Sequence, residues 1–280
     1  MMSSMKVLAS GPLQKMQARL ERPVAYTLAM DGTELAMNEL LGCKIALRYL
    51  GRITCTHCGR ETRKSFNQGF CYPCFKRLAR CDSCIVSPEK CHYDQGSCRE
   101  PEWGDTHCMR EHIVYLANSS GVKVGITRGT QLPTRWIDQG AVQAKPIVRV
   151  QTRLQSGLLE VVLKQHVADR TQWQRMLKGP SEPLDLAAVW LELREQCRQE
   201  LDQLQQRFGV QAIQWLDESE QIALDYPVLA YPSKVKSFNF DKQSLVEGTL
   251  QGIKGQYLIL DSGVINVRKF TAYHVDLLLA

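Results

Sequence analysis

Cys55-Thr-His-Cys58, Cys71-Tyr-Pro-Cys74, Cys81-Asp-Ser-Cys84, Cys91, Cys98 and Cys108 place nine of the chain's eleven cysteines in one stretch. Two Cys-x-x-Cys pairs twelve residues apart have the spacing of a tetrahedral four-thiolate zinc site. Each pair forms a tight knuckle that points both sulfurs at one ion, with Gly59 and Gly69 available where such turns need an open backbone. Reduced cysteines packed as small hydrophobes would not explain the pairing. Zinc is therefore the expected ligand of Cys55, Cys58, Cys71 and Cys74.

Cys81, Cys84, Cys91, Cys98 and Cys108 then offer five sulfurs, with His92, His107 and His112 as further donors. Any four of these close a second site, and the sequence does not choose among them. A second zinc is the expectation. An iron–sulfur cluster is the minor alternative, because its ligand spacing is usually more compact at some point. Nothing between Met1 and Leu20 resembles a secretory signal, so disulfides are not expected and zinc fits a reducing cytoplasm.

With 280 residues and 44% hydrophobic content, the chain can bury one large core or two to three small ones. No apolar run reaches the length of a membrane span. The net charge of +6 is a weak pointer to nucleic acid, and its distribution says more. From Arg52 to Arg80 run seven basic residues (Arg52, Arg60, Arg63, Lys64, Lys76, Arg77, Arg80) against one acid, Glu61. Such a run binds phosphate, or it offsets the negative charge of a four-thiolate zinc site.

Working outward, the expected fold class is α+β, with a metal-stapled centre between small β-units. Residues 1–50 read as a β-unit with an Asp31-Gly32 turn and a short helical turn from Leu35 to Leu41. Residues 51–112 form the cysteine-rich module, with Pro101 to Gly104 as the turn leading out and Trp103 as a packing lid. Residues 113–178 hold a hairpin (Ile113–Ala117 and Val122–Thr127), a helix opened by Pro133, and a strand from Pro146 to Thr152. That strand's alternation puts Ile147 on one face and Val148 with Val150 on the other. A helical period follows from Ser156, and Asp169 or Thr171 is positioned to cap another short helix. Residues 179–225 contain the longest helix, Asp185 to Phe208, with Cys197 near its less apolar side. Residues 226–280 read as three strands, and Gly252-Ile-Lys-Gly-Gln256 as a bulge or turn. The terminal β-units are expected to join into one small barrel, which would leave neither with an open edge.

Within residues 113–163 the residues resemble the GIY-YIG nuclease superfamily in a divergent form. That family's pattern is a hairpin carrying two motifs, then a helix with an arginine, then a helix with a metal-binding glutamate. Val114-Tyr115 stands at the first motif. Lys123-Val124-Gly125 stands at the second, with lysine in place of its tyrosine. Arg135 matches the arginine and Glu160 the glutamate. The phrases Val122-Lys-Val-Gly-Ile-Thr-Arg128 and Gly252-Ile-Lys-Gly-Gln-Tyr-Leu258, with the cysteine block, also resemble an uncharacterised bacterial family, which supplies no mechanism.

The resemblance implies phosphodiester cleavage, with Glu160 holding Mg²⁺ or Mn²⁺ and Arg135 clamping the phosphate. Tyr115 would act as general base or orient the water, helped by Lys123, with Arg128, His166 and Arg170 in support. Each residue also has a plain reading: Tyr115 as a core aromatic, Lys123 and Glu160 as solvated charges, Arg135 as the partner of Asp138. Three functions follow: a Mg²⁺-dependent nuclease, on DNA more than RNA; a non-catalytic zinc-containing nucleic-acid-binding protein; and a zinc-stapled scaffold for protein partners. Whether the chain is an enzyme, and its oligomeric state, are open at this level. The sequence carries no Walker loop, dinucleotide fingerprint or His-Glu-x-x-His.

Overall fold

Among the described residues, fourteen short strands and seven short α-helices fall into two units of the chain. The computed structural model describes residues 5–167 and 170–280. In chain order come β1 (Lys6–Pro12), β2 (Gln17–Arg19), β3 (Ala25–Met30), β4 (Thr33–Ala36) and β5 (Lys44–Ile53). The helices α1 (Tyr72–Arg77) and α2 (Pro101–His107) precede the hairpin β6 (His112–Asn118) and β7 (Val122–Arg128). Then follow α3 (Thr134–Asp138), β8 (Gln143–Val150), α4 (Arg153–Leu163), α5 (Trp173–Met176), α6 (Leu186–Gln196) and α7 (Arg198–Phe208). The chain ends with β9 (Ile213–Trp215), β10 (Ile222–Ala223), β11 (Leu245–Lys254), β12 (Tyr257–Leu260), β13 (Gly263–Asn266) and β14 (Tyr273–Leu279).

Unit 1 comprises residues 5–76, 177–179 and 224–280; unit 2 comprises 77–176 and 180–223. The segment 51–112, read from the sequence as one module, is thereby divided. Its first four cysteines lie in unit 1 and the remaining five in unit 2.

In unit 1 the two terminal β-units do join. They form one antiparallel sheet in the order β1-β14-β5-β11-β12-β13, beside a three-stranded sheet β2-β3-β4. The expected barrel does not close, because β1 and β13 end the order without pairing to each other. Ala9, Leu277, Leu47 and Val246 meet in one row across four strands, and all four are buried. Burial of that row, roughly 25 cal/mol for each Å² of apolar surface, is what fixes the register. β14, which the sequence reading did not single out, lies between β1 and β5. Its Leu277-Leu-Leu279 run lacks alternation because the strand is buried on both faces. The helical turn near Leu35 narrows to a 3₁₀ turn at Met37–Leu40. Gly252 sits at a register shift, as a bulge requires.

Unit 2 is built on β6, which pairs with β7 on one side and β8 on the other. One face of this sheet carries Val114, Leu116 and Val124, packed with Leu159 and Leu163 of α4, Trp190 and Leu193 of α6 and Leu201 of α7. The strict alternation expected of β8 is broken: the register shifts between Val114 and Tyr115, and Ile147 joins Val148 and Val150 in the same core. Helix α4 begins earlier than its apolar period suggests, because Thr152 and Gln155 close a capping box. Pro101 starts a helix and not a turn, in the first position that a helix gives proline without losing a hydrogen bond. The helix expected from Asp185 to Phe208 is divided at Cys197, whose thiol is buried in the core and not on the polar side. The bend lets Trp190 and Leu201 face one core. Asp169 lies outside the described residues, and the short helix near it starts at Trp173.

His112 opens β6 fully buried. Its Nδ1 donates to the Arg110 carbonyl at 2.7 Å, so the neutral ring turns an Nε2 lone pair inward, and that atom has no hydrogen-bond partner. Burial holds its pKa down at about 4, against 6.5 for a free side chain. Between these values the unfolded chain takes up a proton that the folded chain refuses. Stability is therefore full above pH 6.5 and falls by about 3 kcal/mol as pH drops toward 4. Urea unfolding across this range should show that loss, and His112→Gln should flatten it; an unchanged slope in the variant would assign the loss elsewhere.

Candidate metal centre and hairpin site

The first cysteine cluster is assembled by turns whose backbone conformations its sequence supplies. Gly59 (φ +71°) follows the first knuckle, and its N–H closes the turn on the Cys55 carbonyl at 2.9 Å. Gly69 (φ +129°) precedes the second pair, and its carbonyl accepts from the Thr56 N–H at 2.8 Å, tying the two knuckles together. Cys71 and Cys74 bracket the start of α1. The sulfurs of Cys55, Cys58, Cys71 and Cys74 all lie within 4.8 Å of one another, and Cys58 and Cys71 are 3.7 Å apart. A tetrahedron with zinc–sulfur bonds of about 2.3 Å has edges of about 3.8 Å. These four cysteines can hold a zinc ion.

Their acidity points the same way. Burial pushes the Cys55 thiol up, but the backbone N–H groups of Cys71, Cys58 and His57 and the Cys58 thiol outweigh it and bring it to about 6. Burial and the neighbouring thiols Cys71, Cys58 and Cys55 push Cys74 up to about 12. One thiolate forms readily and a full set does not, unless a cation joins them. Around the knuckles Arg60, Arg63, Lys64 and Lys76 are exposed, while Arg52 pairs with Glu61 at 3.7 Å. Beside Cys55 a groove of about 570 Å³ is lined by Lys15, Gln68 and Arg268, with Thr54, Thr56 and Thr271. No local pattern marks this groove, since its residues come from segments far apart in the chain.

The second cysteine group is arranged differently. Cys84, Cys91, Cys98 and Cys108 line one small hollow with Trp103 and Tyr93, whereas Cys81 is outside its lining. Among the described residues, the other close group of three donors is Asp82, Cys84 and His92. Two of those donors are already engaged. Asp82 pairs with Arg99 at 2.7 Å and accepts from the Ser83 N–H, while His92 Nδ1 meets Ser97 Oγ at 2.9 Å. Trp103 stacks on His107 with ring centres 4.2 Å apart. It is a lid on this module, as expected.

On the hairpin, Tyr115 pairs with Gly125 and Ala117 with Lys123, so Tyr115 and Lys123 share a face as diagonal neighbours. A Cβ on Gly125 would stand 2.6 Å from Tyr115 Oη. Only glycine lets the ring lie across the edge strand. The Tyr115 hydroxyl donates to Gln139 Oε1 at 3.1 Å, and Trp136 meets the ring edge-on at 6.0 Å. Burial raises the Tyr115 pKa, opposed by the Arg135 guanidinium beside its hydroxyl and by Gln139, with Glu160 near enough to add to the rise. Tyr115 and Arg135 are thus brought together, and Glu160 acts on Tyr115 through its charge. Tyr115 is 0% exposed, as its plain reading as a core aromatic requires, whereas Lys123 is 4% exposed and is not the solvated strand lysine of its plain reading. Glu160 is half-buried on α4. Gln139 and Arg153 were missed by the sequence reading. Gln139 was legible as the residue one helical turn after Arg135, but Arg153 carried no signal beyond its place at a helix start.

Zinc content tests the first cluster. Wild-type chain should carry zinc at Cys55, Cys58, Cys71 and Cys74, and Cys71→Ser should lose one zinc per chain together with thermal stability, as read by metal analysis and calorimetry. Unaltered zinc in that variant would remove the assignment.

Among the described residues no helix is long and apolar enough to cross a membrane. No curated protein and no solved structure matches the chain. A family model described as a protein of unknown function, DUF2797, matches residues 42–275, spanning both cysteine groups, the hairpin and most of the C-terminal strands. The chain belongs to the DUF2797 family.

Proposed function

We propose that unit 2 carries a divergent GIY-YIG-like site that cleaves nucleic-acid phosphodiesters, and that the zinc-stapled basic surface of unit 1 binds the same kind of polyanion. The observation that supports the reading is the approach of Gly125 and Arg135 to Tyr115, with the charge of Glu160 felt there, on a hairpin followed in the chain by two helices, the order that the resemblance requires. Arg135 offers a planar fork to a phosphoryl oxygen. The Glu160 carboxylate suits a hard divalent ion whose other ligands are waters and the substrate phosphate. Such an ion supplies charge neutralisation and a more acidic water. In hydrolysis the water oxygen bonds to phosphorus, the bond to the leaving oxygen breaks, and that oxygen takes up a proton. Burial keeps the Tyr115 hydroxyl protonated, so it orients Arg135 and Gln139 and does not serve as the base.

A second reading has its own support. Tyr115 and Lys123 are too buried for a phosphate to touch them as they stand, which favours a protein that binds nucleic acid without cutting it. A protein scaffold is favoured less. On α6 and α7, Leu191 is the large apolar side chain that is exposed, and a single such residue makes no patch.

The test is digestion of single-stranded, duplex and branched DNA and of RNA with Mg²⁺ or Mn²⁺. Cleavage should fall about 100-fold or more in Arg135→Ala and Glu160→Gln, with zinc content and melting temperature unchanged. Salt-sensitive binding without any cleavage would replace the first reading with the second. Neither binding nor cleavage would remove both.

A further inference from the structure

An oxygen of Asp82, the sulfur of Cys84 and a ring nitrogen of His92 lie within 4.8 Å of one another. All three residues line a hollow of about 10 Å³, which is space for one water or one ion and no more. His92 Nε2 stands 3.5 Å from Asp82 Oδ2, longer than a good hydrogen bond. A zinc ion bonded to one nitrogen and one oxygen at 2.0–2.2 Å sets a tetrahedral edge of about 3.4 Å between them. We propose that Asp82, Cys84 and His92 hold a zinc ion whose fourth position belongs to water, a second metal centre unlike the four-thiolate one.

The contacts that Asp82 and His92 already make leave each of them the atom a metal needs. Asp82 caps the 3₁₀ turn Ser83–Ile85 through Oδ1, which accepts from the Ser83 N–H at 2.6 Å, and that turn carries Cys84. Asp82 Oδ2 takes the Arg99 Nε–H at 2.7 Å and keeps a second lone pair. Gly96 (φ +70°) ends the turn that follows His92, so that Ser97 comes back against the histidine. Ser97 Oγ gives its own proton to the His92 carbonyl at 3.3 Å, and therefore accepts from His92 Nδ1–H at 2.9 Å. With its proton held at Nδ1, the ring turns the Nε2 lone pair toward Asp82, the orientation a metal-bound histidine takes from such an outer partner. One oxygen, one sulfur and one nitrogen donor suit zinc.

The surroundings argue for water in the fourth position. Cys91, Cys98 and Cys108 line the same hollow, yet among the described residues no sulfur of theirs joins the three donors within 4.8 Å. The His92 side chain is 26% exposed, so solvent reaches the site. Three protein donors and a water make the open form of a zinc site, in which the ion renders the water more acidic and can exchange it for another oxygen or nitrogen donor. The loop between Cys84 and His92 is packed against α4, where a Cβ on Gly157 would stand 2.6 Å from the Glu89 nitrogen and 2.6 Å from Pro88 Cβ. The proposal stands without the nuclease reading, because none of its donors belongs to the hairpin or to α4.

The experiment is metal analysis of the full chain, saturated with zinc and freed of excess, beside visible absorption of the same chain loaded with cobalt. The wild type should hold two zincs, Cys84→Ser and His92→Gln one each, and Cys98→Ser two. Azide or imidazole added to the cobalt-loaded wild type should shift its spectrum, because a bound water exchanges and a four-thiolate site has none to give. In His92→Gln that shift should vanish. One zinc in the wild type, or two in His92→Gln, would overturn the site. A wild-type cobalt spectrum indifferent to both additions, or zinc lost from Cys98→Ser, would overturn the open fourth position. The wild-type measurements carry the test even where a variant fails to fold.

Discussion

Thiolates crowded into a space without water repel one another, and only a cation lets them share it. That constraint governs the stretch from Cys55 to Cys108. At the first cluster four sulfurs lie within 4.8 Å, with one thiol drawn down to about 6 and another pushed up to about 12. At the second, four sulfurs face a hollow beside the buried Arg153. Short 3₁₀ turns and bends make up most of the chain between Ala79 and Gln95, and such elements have no ladder of their own to hold them. The cysteine stretch is divided at Lys76, so each unit holds its own group.

The two units solve the remaining problem of burial in different ways. Unit 1 takes strands from both ends of the chain and interleaves them, placing β14 between β1 and β5. Contacts of that sequence separation are slow to form and favourable once formed, because each buries side chains on both faces. Unit 2 lays α4, α6 and α7 on one face of the β6 sheet and leaves the other face to Tyr115, Gly125 and Lys123. The core face explains the stability of the hairpin. The opposite face explains why a glycine and a buried tyrosine must be neighbours there.

What was legible in the sequence was what depends on local spacing. The Cys-x-x-Cys pairs, the hairpin from His112 to Arg128 and the proline that opens α3 were all readable, since each is fixed within a few residues. The join of the two terminal β-units was anticipated, but not its openness, because closure depends on whether β1 and β13 meet, and no local pattern encodes that. The bend at Cys197 was hidden by an apolar period that continues through it. Ile147 was assigned by alternation to the wrong face because a register shift adds a residue there. The choice among five sulfurs was likewise beyond the sequence, since Cys81 and Cys84 form a pair in the chain while the hollow takes only Cys84.

Metal ligation, more than apolar burial, is expected to hold residues 54–110 in place. Hydrogen exchange of the native chain, followed by mass spectrometry before and after metal removal with a strong chelator, is the decisive test. Protection should be lost across 54–75, 79–108 and the adjoining α4, while β5, β11 and β14 keep theirs. Protection that is unchanged in the cysteine segments after the metals have gone would contradict it.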